Sequence, residues 1–245
     1  MVAKTKNFKR LIKNDIFPQT NSKDPQLLEI IFIMNRQLFT KTLPANTAKL
    51  IDIFQSKKPK FLNHFYLSGG TALSLQIGHR ESEDLDFFSQ KSFNSDLLQQ
   101  ALLKFGNLDQ VQLDDNTVNV FLNGVKLQFL GYPYKLIKPT INFQSIKLSS
   151  IEDIACTKLQ TISMRGSKKD FIDLYFLLNQ YPLNNLFQLM KKKYPKIQYS
   201  QPHIMKSLVY FDDAEQQPMP RMHQEVTWNE VKNKMISAVK TIKFK

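Results

Sequence analysis

The chain has 245 residues, 42% hydrophobic and 22% charged, a profile that excludes a disordered chain and needs no disulfide to hold a core. Its single cysteine, Cys156, excludes an intrachain disulfide and a multi-cysteine zinc site. The formal charge of +13 is carried mostly by Lys, with Arg at only five positions, which suits phosphate backbones better than base edges.

Residues 1–13 are basic, and no apolar stretch follows that would make a secretory signal, so they read as a basic tail. No run approaches the roughly 20 apolar residues that span a bilayer, so the expectation is a cytoplasmic protein without a membrane partner. Charge is uneven along the chain. Residues 1–60 hold 12 basic and 4 acidic groups, residues 61–115 hold 3 and 8, and residues 116–245 hold 19 and 9. An acidic segment between basic flanks reads as a cation site with surroundings that attract polyanions.

Residues 24–56 show helical periodicity through Leu27, Leu28, Ile31, Met34 and Leu38, then Thr47, Leu50, Ile51 and Phe54. Residues 65–67 are a short strand, residues 71–78 a short helix and residues 84–88 an alternating strand. Residues 93–104 are a helix. Two strands, 117–122 and 125–130, are joined by Asn123-Gly124, the sequence of a type I′ hairpin. From Ser149 onward helices dominate. Ser150 with Asp153 opens one to about Arg165, and Ser167 with Asp170 opens another to about Asn179. Residues 183–194 and 228–242 add two more, and residues 211–215 read as an acidic loop in structural contact. The fold class is α+β: a small mixed β-sheet core with an N-terminal helical lead-in and a helical C-terminal half. The expected divisions are 1–60, 61–148 and 149–245.

Three of the seven glycines, Gly69, Gly70 and Gly78, fall within ten residues. Gly69-Gly70 lets the chain turn sharply after a strand and approach a ligand closely. The helix that follows aims free N–H groups at the same point, and Thr71 adds a hydroxyl. Asp84 and Asp86, two apart on a strand, project from one face with Cα atoms about 6.5–7 Å apart. Such carboxylates repel unless a cation lies between them, and hard oxygen ligands suit Mg²⁺. A phosphate cradle beside a paired carboxylate is the arrangement of phosphoryl or nucleotidyl transfer.

Those residues, Gly69-Gly70-Thr71-Ala72-Leu73, Gly78-His79-Arg80, Ser82 and Asp84-Leu85-Asp86-Phe87-Phe88, resemble the polymerase-β-like nucleotidyltransferase superfamily and, within it, the AbiEii/AbiGii toxin family. A second block is similar to that family too: residues 151–155, Lys158, and residues 165–175, which include Asp170 and Asp173. The resemblance implies a nucleotidyltransferase core at 61–148, completed by the helical region 149–245. It implies Mg²⁺ (or Mn²⁺), an NTP substrate, a nucleic-acid acceptor such as the tRNA 3′ end, a toxin or phage-defence role and a cognate antitoxin. By the same likeness Asp84 and Asp86 hold the metal, Ser68, Gly69, Gly70, Thr71 and Arg80 bind nucleotide, Lys158 grips phosphate, and Asp170 serves as base or auxiliary ligand.

The residues themselves qualify this. Lys158 lies on the apolar stripe Ile151, Ile154, Ala155, Leu159 and Ile162, so it needs an anion or carboxylate unless it snorkels at the rim. Asp170 sits where a capping acid belongs, and Asp173, three residues on, either supports the site or is solvated. His79 contacts phosphate or packs the turn. The third carboxylate that the superfamily resemblance implies on strand 125–130 is missing: the outward residues are Lys126, Gln128 and Leu130. Gln128 can ligate through its oxygen but cannot act as a base. It keeps open a degenerate scaffold that binds nucleotide or a protein, and a small antibiotic-type acceptor is a further alternative to RNA.

Overall fold

The computed structural model describes residues 38–242. The basic tail and the helical periodicity over residues 24–37 lie outside the described residues. A 3-10 turn at Thr40–Thr42 precedes α1 (Ala45–Lys57), which turns Leu50, Ile51 and Phe54 inward. A second 3-10 turn, Lys60–His64, leads into β1 (Tyr66–Leu67). Then come α2 (Gly69–Ile77), β2 (Leu85–Ser89), α3 (Ser95–Leu102), β3 (Leu108–Asp114), β4 (Thr117–Leu122), β5 (Val125–Gly131), β6 (Ile141–Phe143) and β7 (Ile146–Leu148). The helical half is α4 (Ile151–Met164), α5 (Lys168–Leu177), α6 (Leu183–Lys193), α7 (Gln201–Leu208), the single turn α8 (Asp212–Glu215) and α9 (Trp228–Lys240).

The strands form one mixed seven-stranded sheet in the order β3-β4-β5-β2-β1-β7-β6. β2 sits at its centre, antiparallel to β1 and parallel to β5. The alternation expected of half-buried strands is visible in the two faces. On one face Leu67, Leu85, Phe87, Leu127, Phe129, Val118, Val120 and Leu122 are buried. Phe87 stacks on its register partner Phe129 with ring centroids 5.0 Å apart, and α1 and α3 cover this side, Phe54 meeting Phe87 edge-on. The other face carries Asp86, Gln128 and Asn119. The Asn123-Gly124 hairpin joins β4 to β5 with φ of 51° and 79°, the left-handed pair that a type I′ turn needs.

Five elements differ from the sequence reading. β3 is mostly exposed and its register slips between Asp109 and Gln112, so it shows no clean alternation. β6 and β7 have three residues each, too few for a period to show. α7 is capped by Ser200, whose hydroxyl accepts the His203 N–H at 3.2 Å. Residues 211–215 hold a helical turn whose Glu215 accepts from Trp228 Nε1 at 2.9 Å and Lys232 Nζ at 3.1 Å.

α4 starts where the cap signal puts it, with Ser150 Oγ accepting the Asp153 N–H at 3.1 Å. The Asp153 carboxylate also returns to the cap, its Oδ2 accepting the Ser150 hydroxyl at 2.7 Å. It accepts the backbone N–H groups of Ile137 and Lys138 and the Lys193 ammonium, fastening a loop and α6 to α4. The α4 stripe is buried against α2, α5, α6 and α7. No helix among the described residues is long and apolar enough to cross a membrane.

Candidate active site

The turn between β1 and α2 is shaped around Asp86. Gly69 has φ of +65°, where L side chains are strained, and a Cβ there would collide with the Asp86 carboxylate. A Cβ on Gly70 would meet the Arg80 guanidinium. Both glycines are therefore fixed by close approach, which is why the turn reaches the carboxylate. The Ser68 N–H donates to the Asp86 carbonyl at 2.8 Å, and Ser68 Oγ accepts from Ser149 Oγ at 2.8 Å. The Thr71 hydroxyl donates to the Asp84 carbonyl and meets Ser82 Oγ at 2.9 Å. The Thr71 side chain is thus committed to holding the backbone at Asp84, while α2 directs its first N–H groups toward the turn.

Asp84 and Asp86 are half-buried on either side of Leu85, which points into the core. Burial, and then the neighbouring charge of Asp84, push the Asp86 carboxyl up to about 6, against the pull of Lys158, Lys126 and Arg165. Each of these groups therefore acts on the same space. A buried carboxyl pushed up beside a second carboxylate suits a divalent cation, whose charge would favour its ionised form. Among the described residues no group of three or more His, Cys, Asp or Glu is arranged to hold a metal, in keeping with the neutral Gln128 beside the pair. Gln128 is the direct register partner of Asp86, and Asn119 is the partner of Gln128, so the three side chains stand in a row on one face.

Behind the turn lies a second cluster. Lys158 Nζ is 2.7 Å from Asp170 Oδ1 and 2.6 Å from Asp173 Oδ2. Arg80 grips Asp173 through Nε at 2.6 Å and Nη2 at 2.9 Å, and His79 Nε2 is 2.8 Å from Asp173 Oδ1. Asp170 Oδ2 accepts from Ser167 Oγ at 2.5 Å, while the Asp170 N–H donates back to Ser167 Oγ at 3.3 Å. All five charged or titratable members of this cluster are buried. Burial alone would raise the Asp173 carboxyl, but Arg80, Lys158 and His79 hold it well below its ordinary value. Burial lowers His79, against its hydrogen bond to the Asp173 carboxylate, so the imidazole is neutral at physiological pH. Two cations facing two carboxylates leave the cluster electrically balanced.

The structure thus brings Ser68, Gly69, Gly70, Asp84 and Asp86 to one turn, with Thr71 beneath it. Lys158 and Asp170 form an ion pair behind them. Arg80, expected at the nucleotide, has its guanidinium spent on Asp173 and on the Glu81 carbonyl. The sequence reading left Asp173 open between support and solvation, and it is the hub of the cluster. Its contacts with His79 and Arg80 span more than ninety positions, so no local pattern announces them. Lys126, Arg165 and Asn119 were not among the candidates; the alternation of β4 and β5 was the available signal for Lys126 and Asn119.

Residues 52–135 and 130–245 match the family model described as nucleotidyl transferase AbiEii toxin, type IV TA system. The protein aq_aa25 of Aquifex aeolicus (strain VF5) is 40% identical over 175 residues, 69% of this chain and 83% of that one. Among solved structures, MenT4, a nucleotidyltransferase toxin from Mycobacterium tuberculosis H37Rv, is similar at 13% identity over 82% of this chain and 87% of that chain, with a TM-score of 0.49. A protein from Helicobacter pylori is similar at 17% identity over 81% of this chain and 92% of that chain, with a TM-score of 0.46.

Proposed function

The chain belongs to the AbiEii family of nucleotidyl transferase toxins, and from that premise we propose that it moves a nucleotide from an NTP to a nucleic-acid acceptor, the tRNA 3′ end, in a Mg²⁺-dependent reaction. The observation that carries the reading is the Gly69 turn packed against the Asp86 carboxylate. It supports a triphosphate lying over the α2 N-terminus beside a metal held by Asp84 and Asp86. The metal, Mg²⁺ or Mn²⁺, would supply charge neutralisation at the transferring phosphate. In the transfer the acceptor oxygen bonds to the α-phosphorus, the bond to pyrophosphate breaks, and the hydroxyl proton passes to water.

The chain's own residues divide the remaining work. Ser68, Gly69, Gly70 and Thr71 shape the cradle. From behind the turn the Lys158 charge acts on Asp86, and Asp173 and Asp170 keep that ammonium protonated despite its burial. Asp170, tied to Lys158 and to Ser167, acts through Lys158, and Arg80 braces the turn from beneath Gly70. The chain's net charge of +13 supports a polyanionic acceptor over a small antibiotic. The family's place in type IV toxin–antitoxin systems supports a cognate antitoxin, a phage-defence role and a cytoplasmic site of action.

A second reading rests on Gln128, which stands beside Asp86 where an active site of this kind would carry a third acid. On it, the protein is a scaffold that binds nucleotide without turning it over. Incubation with each labelled NTP, Mg²⁺ and total RNA separates the two. Label in the tRNA band is expected; binding of Mg²⁺–NTP without label in any acceptor would favour the scaffold.

A further inference from the structure

The sheet order gives the site two sides. The glycine turn follows β1, on one side of Asp86, and β5 and β4 lie on the other. In nucleotidyl transfer the attacking oxygen and the leaving pyrophosphate lie in line on opposite sides of the phosphorus. A triphosphate on the glycine turn therefore brings the acceptor in over β5 and β4. In the row through Asp86 the side chains there are Gln128, directly beside Asp86, and Asn119, directly beside Gln128, with the Lys126 ammonium two residues away on the same face of β5.

Asn119 carries an independent sign of a missing ligand. Its Oδ1 is buried and has no hydrogen-bond partner among the described residues. Buried acceptors are almost always satisfied, and each exception calls for an explanation. Core packing does not supply one, because the β4 residues that face the core are Val118 and Val120, on the opposite side of the strand. The chemistry of the row narrows the occupant. A phosphate would be met by cations and a metal by carboxylates. Neutral amides, each offering an oxygen acceptor and an N–H₂ donor, fit a neutral group with neighbouring hydroxyls.

We propose that Asn119 and Gln128 bind the terminal ribose 2′,3′-diol of the acceptor, the half-buried Asn119 amide turning so that its Oδ1 accepts from one of the hydroxyls. The proposal rests on the nucleotidyl-transfer reading and assigns that reading's acceptor side. Asn119 is thereby a specificity-determining residue, and Gln128 stands in the row as a contact for a sugar and not as a base.

The test uses the full chain, Mg²⁺–NTP and a synthetic RNA hairpin ending either in ribose or in 2′-deoxyribose. Asn119→Ala, with Asn119→Ser as a second variant, is expected to raise the acceptor KM for the ribose-ended RNA about tenfold, the worth of one hydrogen bond. It should also shrink the wild-type preference for the ribose end, and leave the NTP KM and the Mg²⁺–NTP melting shift unchanged. An unchanged acceptor KM, an unchanged ribose preference, or an equal rise in NTP KM would overturn the assignment. Wild-type protein that shows the melting shift but transfers nothing to either RNA would remove the transfer reading itself and this inference with it. Transfer by wild type that the Asn119 variants do not alter would remove the inference alone.

Discussion

Two charged groups stand back to back at the Gly69-Gly70 turn, and they are built on opposite principles. The cluster of Arg80, Lys158, Asp170 and Asp173 is buried and balanced, with both cations within 3 Å of a carboxylate oxygen. The pair Asp84 and Asp86 is half-buried and unbalanced, so that Asp86 is pushed up to about 6 by burial and by its neighbour's charge. The first arrangement is complete within the protein. The second is complete only with a cation and a polyanionic substrate. Lys158 links them, since it is held by the closed cluster yet acts on Asp86.

The comparison breaks most sharply at Asp86. Asp86→Asn keeps the shape of the side chain and removes its charge. Loss of one electrostatic contact to a transition state typically costs about 10²–10³ in rate, and loss of the metal should cost more. Label transfer from NTP to RNA should therefore fall by at least that factor while the circular dichroism spectrum is unchanged. Transfer at the wild-type rate would mean that the open pair is not the reactive site.

The same kind of substitution in the closed cluster should act on the fold. Asp173→Asn leaves Arg80 and Lys158 facing one carboxylate where they had two. Removing one partner of a buried charge pair typically costs about 3–5 kcal/mol. A urea midpoint that shifts by less than the equivalent of 1 kcal/mol would show that the cluster is more hydrated than its burial indicates. Because Asp173 is held well below its ordinary value, its contribution is present above the unfolded carboxylate pKa and fades only in strong acid. The variant and wild type should therefore converge as pH falls below about 4.

How far these two regions were legible in the sequence follows from their geometry. The open site is local. A Gly-Gly turn, a helix start and an Asp-x-Asp strand fall within twenty residues, and the period of a strand alone puts both carboxylates on one face. The hairpin was legible for the same reason, because Asn123-Gly124 is defined by its own backbone angles. The closed cluster is assembled from α2's trailing loop, α4 and α5. Lys158 on an apolar stripe signalled that a counter-charge was needed, but only the packing of α5 on α4 and α2 chose Asp173 as well as Asp170. β3 escaped notice because Gln110 adopts φ of 51° and breaks its alternation.

A smaller effect distinguishes the regions by the sign of their pH dependence. Asp86 has a folded pKa raised above its unfolded value, so the folded state binds the extra proton between about pH 4 and pH 6. Stability from this group is therefore greatest below that window and declines as pH rises through it. Asp86→Asn removes the decline. Without added metal, the variant should melt above wild type at pH 7.5, and the two should converge toward pH 4. A variant that melts lower at pH 7.5 would mean that the carboxylate is already compensated within the protein.

The smallest effect is the most specific. If the open pair lacks only a cation, Mg²⁺ alone should bind weakly, because Mg²⁺ prefers to complete its shell with substrate phosphates. At a concentration equal to its dissociation constant, a ligand of the folded state adds about 0.4 kcal/mol. For a domain of this size that corresponds to a rise of about 1 °C in melting temperature. NTP added with Mg²⁺ should enlarge the shift, since each then supplies ligands to the other. Asp86→Asn should abolish the Mg²⁺ shift. Ser167→Ala, which touches only the cap of α5 and the far oxygen of Asp170, should lower the baseline melting temperature yet keep the shift intact. A Mg²⁺ shift that survives Asp86→Asn but is lost in Ser167→Ala would move the cation to the Asp170 side of the turn and exchange the roles of the two regions.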